Sequence, residues 1–360
     1  MVRPFRIEIT EGAVAELKGR LAATRFPAGV VTSGGISYSD VSRLVSVWQT
    51  GYDWFAAQER LNGHPQVVVD IGATTIHAVH LRAGRSSRPA ILLLHGWPGS
   101  FVELLTVGEI LAHEFDVVIP SIPGFGFSGI PTMAGVSNAK VADWMADLMS
   151  ALGYDEFAVH GGDIGAGVAS WMALEHPTRL TFLHLNFIPG SYWPEGSDNH
   201  SPEEVAFTKR RAEWTEQFGA YAHMQRTTPL TPAYALSDSP AGLAAWLGEK
   251  FLRWSDPASA ISDDVLLTNL SIYWFTNTIA SSMRFYLESA STPLRIRADR
   301  RIGVETHIAH FPHEIVFPPA SWVERGYAVR RWTEMPRGGH FAALEAPELL
   351  AADILACRSR

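Results

Sequence analysis

Residues 157–177 constrain the fold of this chain most strongly, because they encode a short strand, a glycine turn and a helix in direct succession. An apolar run leads into Gly161-Gly162-Asp163-Ile164-Gly165, after which apolar residues recur at helical spacing until a proline. Small residues around a reactive one permit the strained turn of a nucleophile elbow and close packing of helix on strand. The pattern predicts that Asp163 projects into a pocket above the carboxyl edge of a sheet and attacks carbon.

The chain alternates strand and helix patterns from about residue 89 onward. Strands that are buried on both faces of a parallel sheet are typically continuous apolar runs, and such runs occupy residues 90–95, 115–121, 157–160 and 182–187. Helical patterns lie between them at 101–113 and 138–152, and later strand patterns occupy 304–310 and 327–335. The predicted fold class is therefore α/β, with a mostly parallel central sheet.

Four parts are predicted along the chain. They are an N-terminal extension that packs on the core and the cap (1–87), the first part of the core (88–188), a helical cap or lid (189–292) and the second part of the core (293–360). The cap is predicted because its span breaks the alternation and is rich in aromatic residues and prolines. Its helical patterns occupy residues 202–217, 239–253 and 266–288.

The net charge and the cysteine content indicate which kinds of binding partner and which cellular compartment to expect. The net charge is -8 without a concentrated basic stretch, which argues against nucleic acid or an anionic membrane as a partner. No apolar run approaches the roughly 18 residues of a membrane-spanning helix. The one cysteine, Cys357, cannot form an internal disulfide. A soluble cytoplasmic protein is expected, and a homodimer is compatible with the sequence.

Residues 95–99 (HGWPG) directly follow a buried strand pattern. A turn at this place can supply one backbone N–H to an oxyanion hole, and the residue after the nucleophile can supply the second. The predicted donors are the backbone amides of Trp97 and Ile164.

His340 follows two glycines after the last strand pattern and precedes the last helical segment. The order of nucleophile, acid and late histidine is typical of catalytic triads on this kind of sheet. Glu314 follows the preceding strand pattern and is the predicted acid. Asp299 is the alternative, although a surface charge within the basic run 295–301 explains it better.

Two other patterns resemble cofactor or metal sites. Residues 124–129 match the spacing of a dinucleotide-binding glycine motif, but no helix pattern opens at these glycines, as that motif requires. His307, His310, His313 and Glu314 resemble a metal cluster by number, but residues three apart on a strand face opposite sides. No cofactor and no metal are expected.

At these residues the sequence resembles the microsomal-type epoxide hydrolases of the α/β-hydrolase fold. The resemblance covers nearly the whole chain, and it is carried in family order by PFRI, TRFP, DWFAAQERLN, HGWPGS, GGDIG, SDSPAGLAAW, YWFTNTIASSMRFY, FPHEI and RGGHFAALEAPELLAADI. It implies a soluble, bacterial-like member that has the N-terminal collar and helical cap but lacks the membrane anchor of eukaryotic members.

The resemblance also implies a two-step mechanism. Asp163 attacks an epoxide carbon and forms an alkyl-enzyme ester. Water activated by His340, which Glu314 orients, then releases a vicinal diol. The amides of Trp97 and Ile164 hold the oxyanion during that second step.

Two cap tyrosines are implied as hydrogen-bond donors to the epoxide oxygen, and the motif match assigns them to Tyr221 and Tyr286. A phenol is protonated at neutral pH and can act as an acid. The family pattern has glycine just before the first tyrosine, where this chain has Ala220. Tyr234 and Tyr273 therefore stay open as alternatives to Tyr221.

Two other functions are compatible with parts of this pattern. A haloalkane dehalogenase uses the same Asp–His pair, but it needs halide donors, commonly a tryptophan where this chain has Ile164. A non-catalytic ligand-binding homologue is the second alternative, against which the joint presence of Asp163, His340 and Glu314 argues. The hydrophobic epoxide, its regio- and enantioselectivity and the pathway stay open, including detoxification, catabolism and natural-product biosynthesis.

Overall fold

The structure is a computed structural model that describes residues 1–28, 34–82, 88–195, 200–259, 261–297 and 299–358. Residue 87, the predicted end of the N-terminal extension, lies outside these ranges. The described residues form the strands β1 (Val2–Pro4), β2 (Gln66–Ile71), β3 (Thr74–Leu81), β4 (Ala90–Leu94), β5 (Asp116–Pro120), β6 (Phe157–Gly161), β7 (Leu180–Leu185), β8 (Trp193–Pro194), β9 (Arg295–Ile296), β10 (Ile302–His310) and β11 (Tyr327–Glu334).

Nine of these strands form one sheet in the order β1-β2-β3-β5-β4-β6-β7-β10-β11. The pairs from β5 through β11 are parallel, and β1, β2 and β3 add an antiparallel edge next to β5. Every residue of β4, β5 and β6 is buried, as expected for central strands that are covered on both faces. The predicted α/β fold with a mostly parallel sheet is confirmed.

Helices cover both faces of the sheet and build the cap. The described helices are α1 (Glu11–Ala22), α2 (Tyr38–Ser46), α3 (Trp54–Asn62), α4 (Leu105–Leu111), α5 (Asn138–Ala151), α6 (Asp163–Glu175), α7 (Pro202–Phe218), α8 (Ala220–Thr227), α9 (Leu230–Asp238), α10 (Pro240–Trp254), α11 (Asp263–Thr276), α12 (Ile279–Ala290), α13 (Ala320–Glu324), α14 (Ala342–Glu345) and α15 (Pro347–Leu355).

Two predicted helices differ from the observed ones. The pattern at 266–288 is interrupted at Asn277, which adopts a left-handed conformation with φ of 51° and ends α11. Asparagine tolerates this conformation because its short side chain can bond locally, and so it often ends helices. The pattern at 101–113 starts as a 3₁₀ turn at Phe101–Leu104 and ends earlier, with α4 at Leu111.

The first part of the chain contacts both the sheet and the cap. It contributes β1, β2 and β3 to the sheet edge, while α2 and the π-helical turn Val47–Gly51 lie beside α10 and α11. The indole N–H of Trp48 donates to the hydroxyl of Ser271 over 2.9 Å, and the hydroxyls of Tyr52 and Thr268 are 3.0 Å apart. The division of the chain into four parts stays a prediction.

The length and apolar character of the helices bear on whether any of them could cross a membrane. Among the helices of the described ranges, none combines the length and the apolar character that a bilayer crossing requires.

Candidate active site

Asp163 lies at the junction of β6 and α6 with φ of 47°, in the left-handed region that non-glycine residues rarely adopt. The glycines around it are sterically required. A Cβ atom at Gly165 would overlap the carbonyl oxygen of Leu94, and one at Gly161 would overlap the backbone of Gly165. The turn therefore holds α6 against the sheet and exposes the strained aspartate at the strand end, which is the geometry of a nucleophile elbow.

One of the two predicted oxyanion donors contacts this carboxylate, and the other belongs to the next residue of the chain. The backbone N–H of Trp97 donates to Oδ1 of Asp163 over 2.8 Å. Ile164 lies in the first turn of α6, where backbone N–H groups have no acceptor within the helix. Both amides are thus available to a negative charge that develops on the carboxyl oxygen of Asp163.

His340 and Glu314 complete a triad around Asp163. The Nε2 atom of His340 lies 3.5 Å from Oδ2 of Asp163, and its Nδ1 atom lies 2.6 Å from Oε1 of Glu314. The loops that carry the two residues run side by side, because the backbone N–H of His313 donates to the carbonyl of Gly338. The side chains of Glu314 and His340 are both buried, so solvent screens their interaction little.

The charges around His340 favour its protonated form in the resting protein. Burial alone lowers the pKa of this imidazole, but the charge of Glu314 and the contact with Asp163 outweigh burial and raise the pKa well above its usual value. Loss of the negative charge on Asp163 would remove one of the interactions that raise the pKa of His340.

Two tyrosines of the predicted cap line the same cavity as Asp163. Tyr221 of α8 and Tyr286 of α12 have ring centroids 6.2 Å apart, and a hydrogen bond links their side chains. The ring of Trp97 stacks on Tyr221 at 5.3 Å and meets the edge of Tyr286 at 5.8 Å. Burial and the nearby carboxylate of Asp163 raise the pKa of both phenols, so both are protonated donors at neutral pH.

The two alternative tyrosines have other environments. Tyr234 is 73% exposed, and the hydroxyl of Tyr273 donates to the carbonyl of Gly99 over 3.0 Å. Neither lines the cavity above Asp163. The geometry thus favours Tyr221 as the partner of Tyr286.

A cavity of about 520 Å³ lies over this group of residues. It is lined by Asp163, Ile164, Tyr221 and Tyr286, together with aromatic and aliphatic side chains of the core and cap. This volume falls in the range of small-molecule sites, and the mostly apolar walls suit a hydrophobic ligand.

The sequence analysis missed Glu103, a carboxyl group on the opposite side of the nucleophile. With Asp163 and His340 it lines a second, small cavity of about 30 Å³, which is large enough for a water molecule. Its Oε1 atom accepts from the backbone N–H of Gly96 over 3.1 Å. The one sequence signal is a glutamate between the apolar residues Phe101 and Leu104, which both become buried.

Burial raises the pKa of Glu103 to about 8, although the Gly96 amide and His340 oppose this shift. The folded protein therefore binds a proton that the unfolded chain releases above its ordinary pKa near 4.5. The contribution of Glu103 to stability should fall as the pH rises from about 5 to about 8, by an order of a few kcal/mol. Glu103→Gln imitates the protonated form and should flatten this fall in thermal unfolding scans.

Glu8→Gln, at an exposed position, is the matched control and should keep the wild-type slope. Parallel stability curves for Glu103→Gln and the wild type would mean that the Glu103 carboxyl is ionised throughout.

The residues of the histidine cluster, the glycine motif at 124–129 and the alternative acid Asp299 have other surroundings. His310 pairs with Glu334 over 2.7 Å and His313 contacts Asp256 over 3.4 Å, whereas Glu314 contacts His340. The glycines of residues 124–129 form turns, and the next helix, α5, begins only at Asn138. Asp299 is exposed and pairs with Arg297, as expected for a surface charge.

Family comparisons agree with this geometry along the chain. Residues 2–104 match the family profile described as epoxide hydrolase N terminus, and residues 89–214 match the profile described as alpha/beta hydrolase fold. Epoxide hydrolase 1 of Oryctolagus cuniculus is 33% identical over 98% of this chain and 88% of the relative. Juvenile hormone epoxide hydrolase 2 of Ctenocephalides felis is 35% identical over 98% of this chain and 84% of the relative.

Comparison with a solved structure also shows similarity over nearly the whole chain. The structure of Aspergillus niger epoxide hydrolase superposes with a TM-score of 0.89 at 29% identity, covering 99% of this chain and 95% of the other. The similarity thus includes the N-terminal segment and the cap as well as the sheet. The chain belongs to the epoxide hydrolase family of the α/β-hydrolase fold.

Proposed function

We propose that this protein converts a hydrophobic epoxide into a vicinal diol through a covalent ester on Asp163. The observation that carries the proposal is the convergence on the strained carboxylate of Asp163 of a His–Glu pair, which contacts it directly, and of two protonated phenols, which line the same cavity. A carboxylate nucleophile suits an epoxide, because the strained ring opens once its oxygen receives hydrogen bonds. Water is the second substrate.

In the first step, an oxygen of Asp163 bonds to an epoxide carbon, and the bond between that carbon and the ring oxygen breaks. Tyr221 and Tyr286 donate hydrogen bonds to the ring oxygen, and one of them transfers its proton to the developing alkoxide. The products are a hydroxyalkyl ester on Asp163 and a tyrosinate.

In the second step, water attacks the carbonyl carbon of the ester, and His340 takes one of its protons. The amides of Trp97 and Ile164 stabilise the oxyanion. The bond from the carbonyl carbon to the alkyl oxygen then breaks, and the diol leaves with the proton that His340 held. The carboxyl proton of Asp163 returns to the tyrosinate, which restores the resting protein.

The charge of Asp163 controls the protonation state of His340 and thereby the order of these two steps. While Asp163 is ionised, its charge helps to hold the pKa of His340 high, and an imidazolium cannot act as a base. Ester formation removes the negative charge of Asp163, so the pKa of His340 falls and the imidazolium releases its proton to solvent, which leaves a neutral base for the second step. His340 takes a proton back from solvent once Asp163 is a carboxylate again. The histidine is therefore activated by the intermediate on which it acts.

Oxygen labelling tests the covalent route in the unmodified protein. A single turnover in water labelled with oxygen-18 should give unlabelled diol, because the new diol oxygen comes from the carboxylate of Asp163. The label should appear in the peptide that contains Asp163, where mass spectrometry can locate it. Repeated turnover, as the internal control, should then deliver labelled diol.

Labelled diol in the first turnover would show direct attack of water on the epoxide and would contradict the ester mechanism. Failure to produce diol from any aryl or alkyl epoxide would contradict the proposed reaction itself.

A further inference from the structure

Three arginines line the large cavity, and none of them forms an ion pair with a carboxylate of the described residues. They are Arg211 of α7, Arg226 of α8 and Arg295 of β9. Among the lining residues that the structure describes, the only carboxylate is that of Asp163. The chain as a whole carries 37 acidic and 29 basic residues, so this unbalanced positive charge is local to the cavity.

Arg211 is the least exposed of the three. It is half-buried, whereas Arg226 and Arg295 are exposed to solvent where the cavity opens. Its Nη2 atom donates to the carbonyl of Gly190 over 2.5 Å, a neutral acceptor, so the guanidinium has no carboxylate partner among the residues that the structure describes. Burial lowers the pKa of Arg211, which shows that its guanidinium is partly removed from water.

A partly desolvated guanidinium favours an anion, because the alternative is an unpaired charge in a poorly solvated place. Its planar fork of donors matches a carboxylate in a two-point contact. The ionised Asp163 repels the same anion from the reactive end of the cavity. Opposite charges in one cavity therefore orient a substrate that has an epoxide and an acid group on one apolar frame.

We propose that Arg211, supported by Arg226 and Arg295, forms a carboxylate-binding subsite, and that the preferred substrates are epoxides that also carry a carboxylate. This inference rests on the proposed function, since it names the substrate class of the same cavity. The apolar wall between the subsite and Asp163 accommodates the hydrophobic part of such a molecule.

The test compares an ω-epoxyundecanoate with its methyl ester, which differ in charge and otherwise little. The wild type should show a kcat/KM for the acid that is about tenfold or more above that for the ester. Arg211→Met keeps the apolar stem and should lower this acid-to-ester ratio by about 10- to 100-fold. Arg211→Lys keeps the charge without the fork and should give an intermediate ratio.

The matched control is Arg210→Met, which removes the same charge from the next residue of α7, at an exposed position that does not line the cavity. It should leave the ratio unchanged. Arg295→Gln is a second cavity variant. Because Arg295 is exposed, we expect the protein to stay folded, and the acid-to-ester ratio should fall as it does for Arg211→Met. Equal effects of Arg210→Met and Arg211→Met, or a wild-type ratio near one, would overturn the subsite.

A binding measurement separates this inference from the reaction. Undecanoate and methyl undecanoate carry no epoxide, and quenching of tryptophan fluorescence reports their affinities without turnover. Preference for the acid that Arg211→Met abolishes would support the subsite even if no epoxide were hydrolysed. Diol formation at equal rates from acid and ester, with equal affinities for the unreactive pair, would retain the reaction and refute the subsite.

Discussion

His340→Gln should stop turnover after the first chemical step and trap the substrate on the protein. Glutamine has no basic nitrogen to take a proton from water, so ester hydrolysis should slow by about three orders of magnitude. Ester formation needs Asp163 and the tyrosines, which the substitution leaves in place. Intact mass spectrometry after incubation with an epoxide should show a gain equal to the whole epoxide.

Two variants control this experiment. The adduct should disappear when Asp163→Ala is combined with His340→Gln, because the ester then has no carboxylate on which to form. His113→Gln, at an exposed position, should turn over normally without an adduct. A parallel incubation with matched haloalkanes completes the test. A gain equal to a haloalkane minus hydrogen halide there, with no adduct from any epoxide, would refute epoxide opening in favour of dehalogenation.

Replacing both cap tyrosines should abolish ester formation. Tyr221→Phe and Tyr286→Phe should each slow it by about 10- to 100-fold, because one phenol remains to protonate the epoxide oxygen. The double variant should lose about four orders of magnitude, since the alkoxide would then form without a proton donor in a buried site. Rapid-mixing fluorescence, with Trp97 stacked on Tyr221, measures the step directly.

Tyr234→Phe is the matched control, because its ring is exposed and does not line the cavity. Its rate of ester formation should equal that of the wild type. Tyr273→Phe addresses the other alternative. A large loss with Tyr273→Phe and none with Tyr221→Phe would transfer the donor role to Tyr273.

The sequence was most informative where local sterics determine the structure. A Cβ atom at Gly161 would overlap the backbone of Gly165 within the same turn, so this part of the glycine pattern is local and the elbow could be recognised from the sequence. The apolar runs of β4 and β6 likewise identified buried parallel strands. Chain order then sufficed to propose His340 and Glu314, which the fold brings within hydrogen-bonding distance of each other.

Features that depend on burial in the tertiary structure could not be predicted from the sequence. Glu103 looks like an ordinary surface glutamate until the fold encloses it beside Asp163 and raises its pKa. The contact of Arg211 with the carbonyl of Gly190, in place of a carboxylate among the described residues, likewise depends on how α7 packs on the loop at Gly190. The break at Asn277 depends on one residue whose side chain is also compatible with a continuing helix.

The N-terminal contacts also determine which part of the cap can act as a gate. Eight residues of α11 are buried and the first helices hold it through Trp48 and Tyr52, whereas α8 buries one residue and α7 two. Local opening follows the lowest density of buried contacts, so the hinge belongs near Gly219, between α7 and α8. That same segment carries Tyr221 and lies beside Arg211. Opening near Gly219 would move Tyr221 away from Trp97 and Tyr286, so we expect ligand exchange to be coupled to the temporary loss of one proton donor.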